Sequence, residues 1–352
     1  MKRPVVVKLG SALVADGRGR VRRGLLGARA AEIAELVAAG TPVCVVSSGA
    51  IALGLPLLGL TSRPRTLPRL QAASALGQSR LQRAWEEVFA RNGVRAAQVL
   101  LTGAEIADRR AYVNVRGTLD ALFALGAVPV VNENDAIATD EITFGDNDSL
   151  AAQVAVLCGA RLLVLLTSVD GVYTHTPGRP EATLISEGTE ARAAAFGAAS
   201  ALGRGGMESK VGAAELAAAA GITTVIAGGT GASVLGPLVA GELRGTRFDA
   251  APGSDAASAY KLWLRFGKRI AARLVVDDGA KRAVVGGASL LAVGVVAWDP
   301  DFHAGDGVEI VGSDGVPFAR GIGSVDSAEL AGRPANVEAV HRDRLVLVPA
   351  TA

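Results

Sequence analysis

Residues 111–135 read AYVNVRGTLDALFALGAVPVVNEND. The stretch 111–125 spaces apolar side chains at helical intervals between polar ones, which predicts an amphipathic helix. Residues 128–131 (VPVV) form a short β-branched run, which predicts a buried strand. The run ends in the polar cluster Asn132-Glu133-Asn134-Asp135. Helix, strand and polar turn make one unit, and the first 250 residues repeat it. Short aliphatic runs at 5–9, 43–46, 162–166 and 223–227 each end in Gly, Ser or Thr. Helical segments at 25–39, 68–91, 149–157 and 210–220 alternate with them. Such alternation predicts an α/β fold with a mainly parallel sheet covered on both faces. Ligands of these sheets bind beyond the carboxyl ends of the strands, where the polar residues of this chain gather.

Further along, 249–259 (DAAPGSDAASA) is small, polar and broken by Pro and Gly, as a linker would be. After it come short strands at 274–276, 294–297, 308–311, 317–321 and 345–348, with Asp-Gly turns at 278, 306 and 314. They predict a small, mostly β second domain. The expected division is 1–255 and 270–350.

Composition narrows the function classes. Half of the 352 residues are hydrophobic and 4% are aromatic, so the core is aliphatic. The 36 Lys and Arg nearly balance the 34 Asp and Glu. No basic run appears, which gives nucleic-acid binding little electrostatic support. Cys44 and Cys158 each sit in an apolar run, with neither disulfide nor metal-ligand spacing, as suits a reducing cytoplasm. Lys8 interrupts the first apolar run, which is too short for a signal peptide. The uncharged part of 216–241 is broken by glycines and Pro237, so it reads as helix, strand and loop and not as a membrane span.

Of six lysines, Lys8 ends the first strand in VKLGS and Lys210 follows GRGGMES. A lysine is a compact charge with rotating donors, suited to a phosphoryl group in transit. Glycine-rich turns let backbone N–H groups approach phosphates. A solvated strand end and an ordinary helix start are the plainer readings of the same two residues. GxxxxGK[ST] is absent, so this is no P-loop. SSGAI (47–51) is a second amide-rich turn that could hold an anion, although by itself it reads first as a simple helix cap. The Asn/Asp cluster at 132–135 and FGDNDS (144–149) could bind an amino group or orient the lysines; they lack the spacing of a calcium loop. LLTSVDGVY (165–173) runs a strand into an Asp-Gly turn, a place for a nucleotide. Together these strand-end groups suggest phosphoryl transfer.

In this order, VVKLGS, SSGAIALG, NENDAIA, FGDNDSLAA, LLTSVDGVYT and GRGGMESKVGAAELA resemble the bacterial glutamate 5-kinases of the amino acid kinase superfamily. VVDDGAKRAV (275–284) and ASLLAVGV (288–295) resemble the PUA domain that many of them append. The resemblance implies a three-layer sandwich around the parallel sheet, followed by a PUA domain. It implies phosphorylation of the side-chain carboxylate of L-glutamate by ATP with Mg²⁺, the first step of proline synthesis. Lys8, Lys210 and Asp148 would be catalytic. Ser48, Gly49, Ala50, Asn134, Asp135, Asp146 and Asn147 would bind glutamate. Lys8, Gly10, Thr167, Ser168, Arg204, Gly205, Gly206, Met207, Glu208, Ser209 and Lys210 would bind ATP. The chain departs from the family pattern at Ser168, where Asp is common, and at Arg204, where Thr is common. No protein metal ligand is assigned. The resemblance also implies a homo-oligomer, proline as feedback inhibitor and hand-over to glutamyl phosphate reductase, in a cytoplasmic enzyme away from membranes. Two alternatives stand beside it: a related kinase acting on another acid or on UMP, and RNA binding by the PUA domain.

Overall fold

The computed structural model describes residues 2–138, 147–196, 206–251, 264 and 270–348. It separates into two compact units, Met1–Ala259 and Tyr260–Ala352.

Strands of the first unit are β1 (Val5–Leu9), β2 (Val43–Ser47), β3 (Arg95–Leu101), β4 (Ala127–Glu133), β5 (Leu162–Thr167), β6 (Val172–Tyr173), β7 (Leu184–Ile185), β8 (Thr223–Gly228) and β9 (Thr246–Phe248). Its helices are α1 (Ser11–Val14), α2 (Arg23–Ala38), α3 (Ala50–Gly54), α4 (Leu67–Ala90), α5 (Gly103–Ala107), α6 (Arg109–Ala124), α7 (Asn147–Leu157), α8 (Gly188–Phe196), α9 (Gly206–Ala219) and α10 (Leu235–Ala240). Among the described residues, seven strands form one sheet in the order β3-β4-β2-β1-β5-β8-β9. Every pairing is parallel except that of β9 with β8. The central strands β1 and β2 are buried along their whole length. That explains their unbroken valine-rich sequences, because both faces are covered.

Period-two alternation sorts their side chains between the faces. Val5, Val7 and Leu9 join one core with Leu26 and Ile33 of α2 and with Leu81, Trp85 and Phe89 of α4. Lys8 therefore points to the opposite face, where α7 packs on β1 and α9 packs on α7. The register pairs Lys8 with Val46 on one side and with Leu165 on the other. The carboxyl ends of β1, β2 and β5 thus lie level and side by side.

Helices α3 and α4 cross backbone to backbone. A Cβ on Gly54 would lie 1.8 Å from the carbonyl oxygen of Ala73, and one on Gly77 would lie 1.8 Å from that of Ala50. Only glycine permits this approach, and it fixes one face of α4 against the strand ends.

Three local features differ from the sequence expectation. Strand β3 was not expected, since RAAQVLL carries Ala, Gln and Arg. It is a half-exposed edge strand held by pairing with β4 from Arg95 to Leu101, where pairing outweighs propensity. Helix α7 starts at Asn147, not at 149, which puts Asn147 and Asp148 in its first turn. Helix α9 starts at Gly206, so Lys210 is one turn inside the helix and not at its start.

The second unit has strands β10 (Ile270–Val276), β11 (Leu290–Leu291), β12 (Val295–Asp299), β13 (Gly307–Val311), β14 (Pro317–Gly323) and β15 (Glu338–Leu347). Among the described residues they form a sheet in the order β11-β15-β14-β13-β10-β12. Leu274, Val276, Val295, Phe302, Val308 and Ile310 fill its core. The strand expected at 345–348 overlaps the end of the ten-residue β15. The helix Asp278–Val285 is capped by Asp277, whose Oδ1 accepts from the Ala280 N–H at 2.7 Å.

Candidate active site

The loops that leave the level strand ends are tied to their neighbours. The Ser48 N–H donates to Leu9 O at 3.1 Å, Gly10 to Leu166 O at 3.4 Å, and Gly229 to Thr167 O at 2.8 Å. The turn after β2 needs Gly49, whose φ is 110°. A Cβ there would also lie 2.9 Å from Val14 Cγ1.

Three charged side chains meet on the α7 face. Lys8, 4% exposed, comes from β1; Asp148, also 4% exposed, comes from the first turn of α7. Lys210 comes from the second turn of α9. The Asp148 carboxylate takes Lys8 Nζ at 2.5 Å on Oδ1 and Lys210 Nζ at 3.0 Å on Oδ2. Ser209 Oγ adds a contact to Oδ2 at 3.3 Å, and Lys210 Nζ also donates to Gly206 O at 3.0 Å. Burial acts to raise the Asp148 pKa. The two ammonium groups and their hydrogen bonds outweigh it and hold the carboxyl below its ordinary value. The start of α7 favours an anion as well. One carboxylate between two cations leaves a net positive charge, which is what a site for a transferring phosphoryl group needs.

Beside this cluster lies a cavity of about 170 Å³, lined by Ser48, Gly49, Arg63, Asn132, Asp135 and Asn147 among others. Asn147 Nδ2 donates to Ser48 Oγ at 3.0 Å and to Asn132 Oδ1 at 2.7 Å. Its buried Oδ1 accepts nothing from the described residues, an orphan acceptor that a bound donor would satisfy. Asp135 is buried and accepts a hydrogen bond from Ser74 Oγ. Burial pushes the Asp135 pKa up; the Ser74 hydroxyl and the Arg63 charge offset this in part.

Behind the cavity stands α4. Gln78 Oε1 accepts from Asn132 Nδ2 at 2.7 Å, Gln71 Nε2 donates to Ala138 O at 3.3 Å, and Trp85 Nε1 donates to Ser47 Oγ at 3.0 Å. On the other side, the fully buried Arg29 holds the loop after β8. It donates to Gly229 O at 3.2 Å and to Gly231 O at 2.8 Å, and it pairs with Glu32 at 2.9 Å. Glu32 in turn accepts the N–H groups of Val234 and Leu235 at 2.9 and 2.8 Å.

The sequence-predicted residues fall into clear groups. Lys8, Asp148 and Lys210 meet directly. Ser48, Gly49, Ala50, Asp135 and Asn147 line the cavity. Asn134 is not on that lining; its carbonyl closes the turn by accepting from Ile137 and Ala138 at 3.1 Å. Gly10 and Thr167 sit at the adjoining ends of β1 and β5, and Ser168 is exposed. Gly206, Met207, Glu208 and Ser209 form the first turn of α9. Asp146, Arg204 and Gly205 lie outside the described residues. Sequence reasoning missed Ser74, Gln78, Arg63 and Arg29, and named Asn132 only as part of the 132–135 cluster. The polar spacing of Gln71, Ser74 and Gln78 on one helical face was the available signal for α4. Arg29 gave none, because nothing in a helix sequence marks an arginine as buried.

Among the described residues no group of three or more His, Cys, Asp and Glu could hold a metal ion, and no helix is long and apolar enough to cross a membrane.

Comparison with known proteins agrees in both units. Residues 3–228 match the amino acid kinase family and residues 272–336 match the PUA domain. A glutamate 5-kinase from Geobacter sp. strain M21 is 42% identical, with 98% of this chain and 97% of the relative covered. Glutamate 5-kinases from Sphingopyxis alaskensis and Burkholderia cenocepacia are 46% and 44% identical over the same shares of both chains.

Proposed function

The chain belongs to the amino acid kinase family, and from that premise we propose that it is the kinase that transfers the γ-phosphoryl group of ATP to the side-chain carboxylate of L-glutamate. The products are L-glutamyl 5-phosphate and ADP, and the step opens proline biosynthesis from glutamate. The observation that carries this reading is the Lys8–Asp148–Lys210 cluster beside a cavity that offers an amino-acid ligand a buried carboxylate and an orphan amide oxygen.

The cavity takes the acceptor. Asp135 and Asn147 Oδ1 receive its ammonium group, and Ser48 with the amides around Gly49 holds a carboxylate. Lys8 and Lys210 lie toward the donor phosphate, Asp148 fixing the direction of both. Gly10, Thr167, Ser168 and the start of α9 form the nucleotide side. A carboxylate is already ionised at neutral pH, so no base is required. Its oxygen forms a bond to the γ-phosphorus while the bond from that phosphorus to the bridging oxygen breaks, and the electron pair leaves on ADP. The two lysines follow the charge from the γ-phosphate to the leaving oxygen. Catalysis consists of positioning and charge stabilisation. Mg²⁺ brought with the nucleotide would neutralise phosphate charge, and among the described residues no group of three or more His, Cys, Asp and Glu would hold it.

The test is ADP release with hydroxylamine present to trap an acyl phosphate. The acceptors are L-glutamate, N-acetyl-L-glutamate, L-aspartate, carbamate and UMP, with and without Mg²⁺ and with added proline. Hydroxamate from L-glutamate alone, dependent on Mg²⁺, is the expected result, and suppression by proline places it in the pathway. Turnover of a different acceptor overturns the substrate; turnover of none overturns the reaction.

A further inference from the structure

We propose that Ser74 is a positioning residue of the acceptor site, whose hydroxyl holds the Asp135 carboxylate aimed at the ammonium group of the substrate. The inference rests on the function proposed above and adds to it a device built into α4.

Ser74 is 3% exposed, so bulk water does not reach its hydroxyl. It donates to Asp135 Oδ2, a carboxylate that is itself 8% exposed. The Gly54–Gly77 crossing sets the distance between them, because helix backbones in direct contact leave α4 no room to shift. Three residues behind Ser74, Gln71 ties α4 to Ala138 at the far end of the turn that carries Asp135. The donor is thus held from the helix side and the acceptor from the turn side.

The surroundings of Asp135 make that hydroxyl matter. From the loop before α4, Arg63 faces the carboxylate and favours its charge. From β4, the half-buried acid Glu133 lines the same cavity. From α7 comes the neutral Asn147, and from α3 the apolar Ile51 with the backbone around Gly49. Burial favours the neutral acid, and a neutral acid offers an ammonium group no charge. A hydrogen bond donated to the carboxylate opposes that tendency. Without it the Asp135 pKa rises further, and affinity for an amino acid then falls at a higher pH than before.

The experiment uses the full chain and follows kcat and KM for L-glutamate and for ATP from pH 5.5 to 8.5. The proteins are the wild type, Ser74→Ala and Ser74→Thr. For Ser74→Ala we expect the acid limb of kcat/KM for glutamate to move to higher pH. KM for glutamate should rise about 5- to 10-fold at the acid end of the range and less at its alkaline end, with kcat and the ATP KM within about twofold. Ser74→Thr, which keeps the hydroxyl, should restore the wild-type limb. An unmoved limb overturns the proposal. So does a uniform fall in kcat with both KM values unchanged in their pH dependence, since loss of packing alone would do that. If Ser74→Ala does not fold, Ser74→Cys, a weak donor of similar size, carries the same expectation. A wild type that does not turn over glutamate overturns the parent function instead, which separates the two failures.

Discussion

Asp148, between the two lysines, and Asp135, on the neighbouring cavity, stand thirteen positions apart in sequence. Both are more than nine-tenths buried, and their acidities are pushed in opposite directions. Asp148 is enclosed by two ammonium groups that bring its pKa down, whereas Asp135 has a hydroxyl and one facing guanidinium, and its pKa goes up. Under the proposed function, the difference separates the roles of the two. The charge of Asp148 is answered inside the protein, so it serves as a fixed hinge for two cations. The charge of Asp135 is under-compensated, which is the condition of a group awaiting a cationic ligand. Under the proposed function the same residue type acts as a strut beside the lysines and as a receptor in the cavity.

The largest effects should come from breaking the answered end. Asp148→Ala leaves two cations facing each other in a buried place. Turnover should fall on the order of 10³-fold, and stability by about 3 kcal/mol or more. Turnover kinetics and denaturant unfolding check both; turnover within tenfold of wild type would erase the distinction between strut and receptor. Lys210→Ala should lower kcat on the order of 10²-fold with little change in the glutamate KM, because the lost charge acts on the transition state. A rise in KM alone would move Lys210 to the receptor end.

Gly77→Ala tests whether α4 serves the receptor end selectively. The new methyl meets the Ala50 carbonyl, so unfolding should be easier by about 1–3 kcal/mol. The helix can yield only by moving away from α3, which disturbs the Ser74 and Gln71 contacts with the turn that carries Asp135, so the glutamate KM should rise before kcat falls. Equal loss in both would show that the crossing supports the whole site evenly.

Asp135→Asn should raise the glutamate KM about 10- to 100-fold. It should also raise the unfolding midpoint at pH 7, the opposite of Asp148→Asn. The sign follows from linkage. A lowered folded pKa means that Asp148 stabilises the fold in full above its ordinary value of 3.8. That contribution is lost as pH falls through the depressed value. A raised pKa means that ionised Asp135 costs stability at neutral pH, and the cost is relieved as pH falls. The smallest effect is therefore the narrowing of the gap between the two Asn variants as unfolding is followed from pH 7 down to pH 3. A gap that does not narrow would contradict the opposed shifts.

Much of this was legible in the sequence. Unbroken valine runs ending in polar residues announced parallel strands with a site at their carboxyl ends. Strand β3 was illegible because its stability comes from pairing with β4, not from RAAQVLL itself. The start of α7 was misplaced by two residues because Asn and Asp suit both a loop and a first helical turn. The polar face of α4 was visible as spacing, but nothing in that spacing said it faces the cavity.

Sequence by itself thus determined the layers, the strand-end location of the chemistry and the residue types available for it. These depend on periodicity and local propensity, which act over a few residues. The folded chain settled that Asp148 bridges the two lysines, that Asp135 is left under-compensated, and that Ser74 bonds Asp135, Gln78 bonds Asn132 and Arg29 holds the loop after β8. Those outcomes depend on burial and on distances between residues 60 to 200 positions apart. Charge in a protein takes its energy from its surroundings, and the surroundings exist only once the chain has folded.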